Sequence, residues 1–228
     1  MFADRAEAGR ALAEEVARLA CMAEPAARPV VAALPRGGAP VGFEVARRLG
    51  APLVVVPVAK VGAPGREELA LGAVAPGGVE VLNDDVLALL RLDRAAVGEL
   101  VARAAAKVAR QQEAYGGGKG TERLAGAHVV VVDDGLATGA SMKAALLAVR
   151  QSGPARVVLA VPVAPPEALA ALAPLADDVA CVLRPEHMHA VGAWYEDFTQ
   201  TTDAEVARLV AEAGTWSAGL RGAPGQLA

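Results

Sequence analysis

Apolar positions along the chain fall into two alternating patterns, short continuous runs and stretches with an apolar residue at every third or fourth position. Leu12, Val16 and Leu19 share one helical face, and Asp4 with Glu7 has the spacing of a capping box, which predicts an amphipathic helix over residues 4–22. Residues 29–34 form an apolar run that reads as a buried strand, followed by the turn Pro35-Arg36-Gly37-Gly38. Val41, Val45 and Leu49 are spaced by four and precede Gly50, the pattern of a helix with a glycine stop. Further strands are predicted over 53–58, 128–132, 156–161 and 178–183, and further helices over 140–151 and 165–175. Asp93 opens a helix with Val97, Leu100, Val101, Ala104 and Val108 on one face and Glu99, Arg103, Lys107 and Arg110 largely opposite. Asp203 opens a last helix through Val206, Leu209 and Val210 that is expected to end near Gly214, with a loose tail after Trp216. Strands alternating with helices imply an α/β fold, an about five-stranded, mainly parallel sheet flanked by helices.

Two segments depart from the alternation. Residues 59–80 are rich in Gly and Pro, show no clean period apart from a short strand near 79–82, and are expected to form a mobile lid. Gly116-Gly117-Gly118-Lys119-Gly120 reads as a flexible loop.

Composition narrows the classes. With 228 residues, 54% hydrophobic and 21% charged, the chain fits one domain with a small appendage, and disordered and collagen-like classes are excluded. Cys21 and Cys181 are read as free thiols of a cytoplasmic protein, not as a disulfide framework. Prolines and Glu167 interrupt the longest apolar region, 157–176, so no membrane span is expected, and the charged N-terminus lacks the apolar core of a signal peptide. A net charge of -4 argues against a nucleic-acid partner.

The chemistry is concentrated in Val129-Val130-Val131-Val132-Asp133-Asp134-Gly135-Leu136-Ala137-Thr138-Gly139-Ala140-Ser141. Four β-branched residues make a strand buried on both faces, and two carboxylates follow at its C-terminal edge, where open α/β sheets bind ligands. A loop of small residues then enters a helix whose first N–H groups can hold an anion, with Thr138 and Ser141 adding hydroxyl donors. An acidic pair beside a phosphate cradle is reconciled by one ligand, a sugar whose diol meets the carboxylates and whose phosphate ester meets the loop.

This string resembles the phosphoribosyl-pyrophosphate (PRPP) motif of type I phosphoribosyltransferases, and the chain as a whole is most similar to a poorly characterised bacterial branch of that family. The resemblance implies that Asp133 and Asp134 hold the ribose hydroxyls and that Gly135, Leu136, Ala137, Thr138, Gly139, Ala140 and Ser141 surround the 5-phosphate. Leu34-Pro35-Arg36-Gly37-Gly38 matches the family's pyrophosphate loop. Lys60 stands where the family often has a basic residue, and residues 59–80, with Arg66, Glu67 and Glu68, stand where it has a lid. The domain arrangement implied is a type I core over 1–183 and a small C-terminal hood over 184–228.

The implied activity is transfer of ribose-5-phosphate from PRPP to a nitrogen acceptor, a nucleobase by class, with release of pyrophosphate. Asp133, Asp134, Arg36 and Lys60 are the expected catalytic residues, and Mg²⁺ is expected to be bound mainly through PRPP. Members acting on 6-oxopurines typically carry an acid at the position of Ala137; here alanine points away from hypoxanthine and guanine and leaves the loop without a proton-transfer group. A homodimer is common in the family. The alternative is a PRPP- or nucleotide-sensing regulatory protein that keeps the cradle without the transfer chemistry.

Other candidates have simpler readings. Gly118-Lys119-Gly120-Thr121 fails the P-loop spacing, and Cys181, His187 and His189 fit no common zinc pattern. No G-x-G-x-x-G follows the first strand, against a dehydrogenase. Trp194, Tyr195 and Phe198 form either a small packing cluster or a stacking wall for a flat base.

Overall fold

The computed structural model describes residues 1–24, 27–93, 95–115 and 121–219, with 66–68, 121 and 216–219 described by backbone alone. The glycine loop at 116–120 and the end of the tail lie outside the described residues, as do the side chains of Arg66, Glu67 and Glu68.

Five parallel strands form the main sheet in the order β2-β1-β6-β7-β8. They are β1 (Pro29–Ala33), β2 (Leu53–Val55), β6 (His128–Val132), β7 (Arg156–Val163) and β8 (Asp178–Leu183). In register, Ala32 of β1 lies beside Val131 of β6, which lies beside Leu159 of β7. The period of two then divides the side chains between two cores. Val31, Ala33, Val130, Val132, Val158 and Ala160 face α1 (Arg5–Ala17), α2 (Gly38–Leu49) and the last helix, α7 (Asp203–Gly219). Val30, Ala32, Val129, Val131, Leu159 and Val161 face α5 (Ala140–Gln151) and α6 (Pro166–Leu172). Helices on both faces explain why the strands read as continuous apolar runs.

Residues 59–80, expected to lack a clean period, form strands, and with the expected strand at 79–82 they make a second sheet. β3 (Ala59–Ala63), β4 (Arg66–Ala75) and β5 (Val79–Leu82) pair antiparallel in the order β3-β4-β5. Register shifts at Val61/Gly62 and Gly62/Ala63 break the alternation on which a strand assignment from sequence depends. One face buries Val61, Leu71 and Val74 against α3 (Asp84–Leu90) and α4 (Gly98–Ala114). The other sets Ala73, Ala75 and Val79 on Ala144 and Ala148 of α5.

Element ends differ where local chemistry decides them. Asp4 caps α1, accepting from the Glu7 amide at 2.7 Å, but the helix stops at Ala17 because Leu19 turns extended, and Ala20–Met22 is a separate 3-10 turn. β2 ends at Val55, short of the expected 58, just before Pro57. Asp93 accepts from the Ala96 amide at 2.7 Å, yet the regular helix starts at Gly98. Asn83 caps α3, a helix that the apolar spacing did not reveal. α7 runs through Gly214 to Gly219, since an interior glycine costs only about 1 kcal/mol.

The segment after β8 folds back over the strand ends. Phe2 bridges to Tyr195, and Phe2, Val163 and Tyr195 share a small core with Trp194 and Val191 at its edge. Val206, Leu209 and Ala213 of α7 join the main core, so this helix is packed onto the sheet layer. Among the described residues no helix is long and apolar enough to cross a membrane.

Candidate active site

The C-terminal edges of β1 and β6 bring together two motifs about a hundred residues apart in sequence. The Leu34 amide donates to the Val132 carbonyl at 2.9 Å, tying the strand ends together. The turn after Leu34 then lies directly on the acid pair. A Cβ at Gly37 would stand 2.0 Å from Oδ2 of Asp134, and one at Gly38 would stand 2.7 Å from the Val132 carbonyl oxygen and 2.9 Å from Cα of Asp133. Only glycine permits that approach. The Pro35–Arg36 peptide is cis.

Each acid has defined partners. Oδ1 of Asp133 accepts from the Asp134 amide at 2.9 Å. Oδ2 of Asp134 accepts from Nε of Arg5, on α1, at 2.8 Å, an ion pair with side chains only 11% and 14% exposed. The Tyr195 hydroxyl donates to the Asp134 carbonyl at 2.5 Å. Burial raises the Asp133 carboxyl well above its usual range, and the neighbouring Asp134 charge raises it further, opposed by the Asp134 amide, Arg5 and Lys60. Burial also raises Asp134, with the Arg5 guanidinium pulling against it. Two adjacent carboxylates removed from water do not ionise together without a compensating cation.

The loop into α5 is open where a ligand would approach it. Ala137 and Thr138 are exposed, while Gly139, Ala140 and Ser141 are half-buried. Gly135 is pressed against Val163 and Val191, and buried Leu136 donates from its amide to the Val163 carbonyl at 2.9 Å. Gly139 is the N-cap, with φ 74°, and no side chain caps the helix. The first amides of α5 therefore lack intrahelical acceptors and carry the positive end of the helix dipole.

Arg36 is half-buried, near enough to Tyr115 to oppose the rise in its phenol pKa, which burial and Asp203 push up to about 12. The Tyr115 hydroxyl donates to the Asp203 carboxylate, pinning the end of α4 to the start of α7. Lys60 is exposed on β3 and acts electrostatically on Asp133. It also lines a groove of about 640 Å³ between the β3–β4 turn and α4, with Arg103 and Lys107.

The structure thus brings Asp133, Asp134, Gly37, Gly38 and the 135–141 loop to one sheet edge, with Arg36 and Lys60 at its margin. Arg5 was missed in the sequence, since its position in the first turn of an amphipathic helix looks like ordinary surface charge. Tyr195 and Phe198 were noted only as aromatics. Their rings, 5.0 Å apart between centroids, pack with Phe2 and Arg5, as a packing cluster does. No group of three or more His, Cys, Asp or Glu side chains able to hold a metal occurs among the described residues, Cys181, His187 and His189 included.

A family model described as a phosphoribosyl transferase domain matches residues 4–194. Sequences from two Mycobacterium tuberculosis strains, provisionally named phosphoribosyl transferases, are 45% identical over 210 residues, covering 92% of this chain and 46% of theirs. The chain therefore spans about half the length of the curated relatives it matches. The crystal structure of TT1426 from Thermus thermophilus is 46% identical and superposes with a TM-score of 0.72, covering 92% of this chain and 98% of that one. An acid pair and an uncapped helix start on one parallel-sheet edge, within a family match spanning residues 4–194, make this chain a member of the phosphoribosyl transferase domain family, with the type I fold.

Proposed function

We propose that the chain transfers ribose-5-phosphate from PRPP to a nitrogen acceptor, a nucleobase by class, with release of pyrophosphate. The observation that carries this reading is the contact between the two glycine-bearing motifs: Gly37 lies against Asp134 so closely that the turn after β1 and the acids after β6 form one surface. A ligand bearing a diphosphate, a sugar diol and a phosphate ester would span that surface.

In this reading Asp133 and Asp134 accept hydrogen bonds from the ribose hydroxyls and stabilise positive charge as the bond at C1 breaks. The amides at the start of α5, with Thr138 and Ser141, hold the 5-phosphate. Arg36 and Lys60 draw charge from the departing diphosphate. The donor set suits a Mg²⁺ ion that the diphosphate itself brings, since among the described residues the site offers at most the two acids and Asp134 is ion-paired. When bound, Mg²⁺ neutralises the diphosphate and makes it a better leaving group. The segment near 59–80 serves as the cover that limits hydrolysis by water, residues 1–183 as the catalytic core, and residues 184–228 as the acceptor-side hood. The absence of an acid at Ala137 disfavours 6-oxopurine acceptors.

The test is pyrophosphate release from PRPP and Mg²⁺ across a panel of bases, with PRPP binding followed by calorimetry. Turnover with one base class, lost in the Asp133→Asn/Asp134→Asn double variant, supports the transferase. Saturable PRPP binding without turnover makes the chain a sensor. Full PRPP affinity in the double variant removes the acids from the site.

A further inference from the structure

Arg5 makes three contacts that no ordinary helix-start arginine needs. Nε donates to Oδ2 of Asp134 at 2.8 Å. Nη1 donates to the Thr199 carbonyl at 2.8 Å. The guanidinium carbon lies 3.9 Å from the centre of the Phe198 ring. The side chain is thus fixed on three sides, by the acid pair, by the backbone of the hood segment and by an aromatic face. Tyr195 of the same segment holds the Asp134 backbone by a second route. We propose that Arg5 is the positioning residue of the acid pair, holding Asp134 as an oriented carboxylate and coupling the 195–199 segment to the sugar-binding edge.

The physical argument follows from burial. A diol is recognised by a carboxylate that accepts both hydroxyl protons, and a protonated carboxyl gives up part of that capacity. Asp134 sits beside a second acid, Asp133, and burial raises both carboxyls, so without a cation the pair would hold a proton above the ordinary carboxylate range. The charged and titratable groups around it are Asp133 on its own loop, Arg5 from α1, Lys60 from β3 acting on Asp133, and Tyr195 and Asp197 from the hood segment. Asp197 is held by the Thr199 amide and hydroxyl and does not capture Arg5. Among the described residues Arg5 is therefore the cation in direct contact with the pair. Its contact is with one carboxylate oxygen, Oδ2. Its grip on Thr199 and Phe198 means that movement of the hood segment is felt at the acids.

The role in sugar binding rests on the PRPP reading above, whereas the effect on Asp134 does not, and the experiment separates them. Carboxyl ¹³C titration of Asp134 in the protein without ligand should show its midpoint rise by about one pH unit or more in Arg5→Met, and much less in Arg5→Lys, which keeps the charge. The acid limb of PRPP affinity, measured by calorimetry with Mg²⁺, should move to higher pH by the same amount, roughly tenfold weaker binding per unit at a fixed acidic pH. In an Asp134→Asn background Arg5→Met should shift the acid limb much less, leaving only its weaker pull on Asp133. Phe198→Leu, which removes only the ring under the guanidinium, should give a smaller shift in the same direction and serves if Arg5→Met does not fold. An unchanged Asp134 midpoint, or a loss of affinity equal at every pH, overturns the proposal. A shifted midpoint in a protein that binds no PRPP upholds the Arg5–Asp134 coupling and overturns the PRPP reading.

Discussion

Every residue of β6 is buried, whereas β3 alternates buried with exposed or half-buried positions and only Val79 of β5 is buried. The main sheet is covered by helices on both faces and pairs in unbroken parallel register. The small sheet is antiparallel, carries two register shifts and has its own core with α3 and α4. The first is a platform whose strand ends must stay put, because the acids and the open helix start depend on their relative positions. The second joins the platform through alanine-lined contacts with α5. The contrast teaches that the two sheets are held by different cores, and that Lys60 belongs to the one packed apart from the acids.

The largest effect that would sharpen this contrast is expected at the glycines. Gly37→Val places atoms where Oδ2 of Asp134 lies, 2.0 Å from the added Cβ, and should weaken PRPP binding by roughly a hundredfold or more in calorimetry. Gly65→Asn in the β3–β4 turn meets nothing within 4 Å and keeps a φ of 69° that Asn tolerates, so stability should change by less than about 0.5 kcal/mol.

Core truncations come next. Leu159 of β7 and Leu71 of β4 are both fully buried, and either change to Ala should cost about 2–5 kcal/mol in the core that it leaves. For Leu159→Ala the loss should appear in global denaturant unfolding. For Leu71→Ala, hydrogen exchange should show residues 59–82 losing protection first, while β6 and β7 stay protected. Simultaneous loss in both sheets would refute their separation.

A pH effect follows from the acids. The folded pKa of Asp133 lies above its unfolded value, so between the two the folded state binds more protons and stability falls as pH rises through the folded value. Asp133→Asn removes that penalty. Its Tm should exceed the wild type's near neutral pH, and the difference should shrink as pH falls towards the ordinary carboxylate range. A variant equally stable at both ends of that window would mean that burial does not disfavour the charge.

The smallest effect is expected at Lys60, which is exposed. Lys60→Ala should weaken PRPP binding by about two- to fivefold, less at high salt. An effect as large as that of Gly37→Val would tie Lys60 to the main-sheet edge and break the comparison.

Much of the platform was legible in sequence because its signals are local. The run Val129–Val132, the acids after it and the small residues before Ala140 each report a strand, its edge and a helix start from neighbouring residues alone. The turn after Leu34 was legible for the same reason. Of the small sheet only the strand at 79–82 was legible, because the pairing is non-local and the bulges in β3 and β4 spoil the period of two. α3 escaped notice because a helix of 7 residues shows barely two turns of periodicity.

The amino-acid order by itself determined the parallel α/β platform and the candidate donors at its edge, since backbone geometry and apolar burial act within a few residues of each motif. Only the tertiary structure decided that Gly37 touches Asp134, that Arg5 reaches the acids across 129 positions of sequence, and that residues 59–82 form a sheet. Those contacts arise when separate elements close on a shared core, and no local spacing encodes which distant side chain will arrive there.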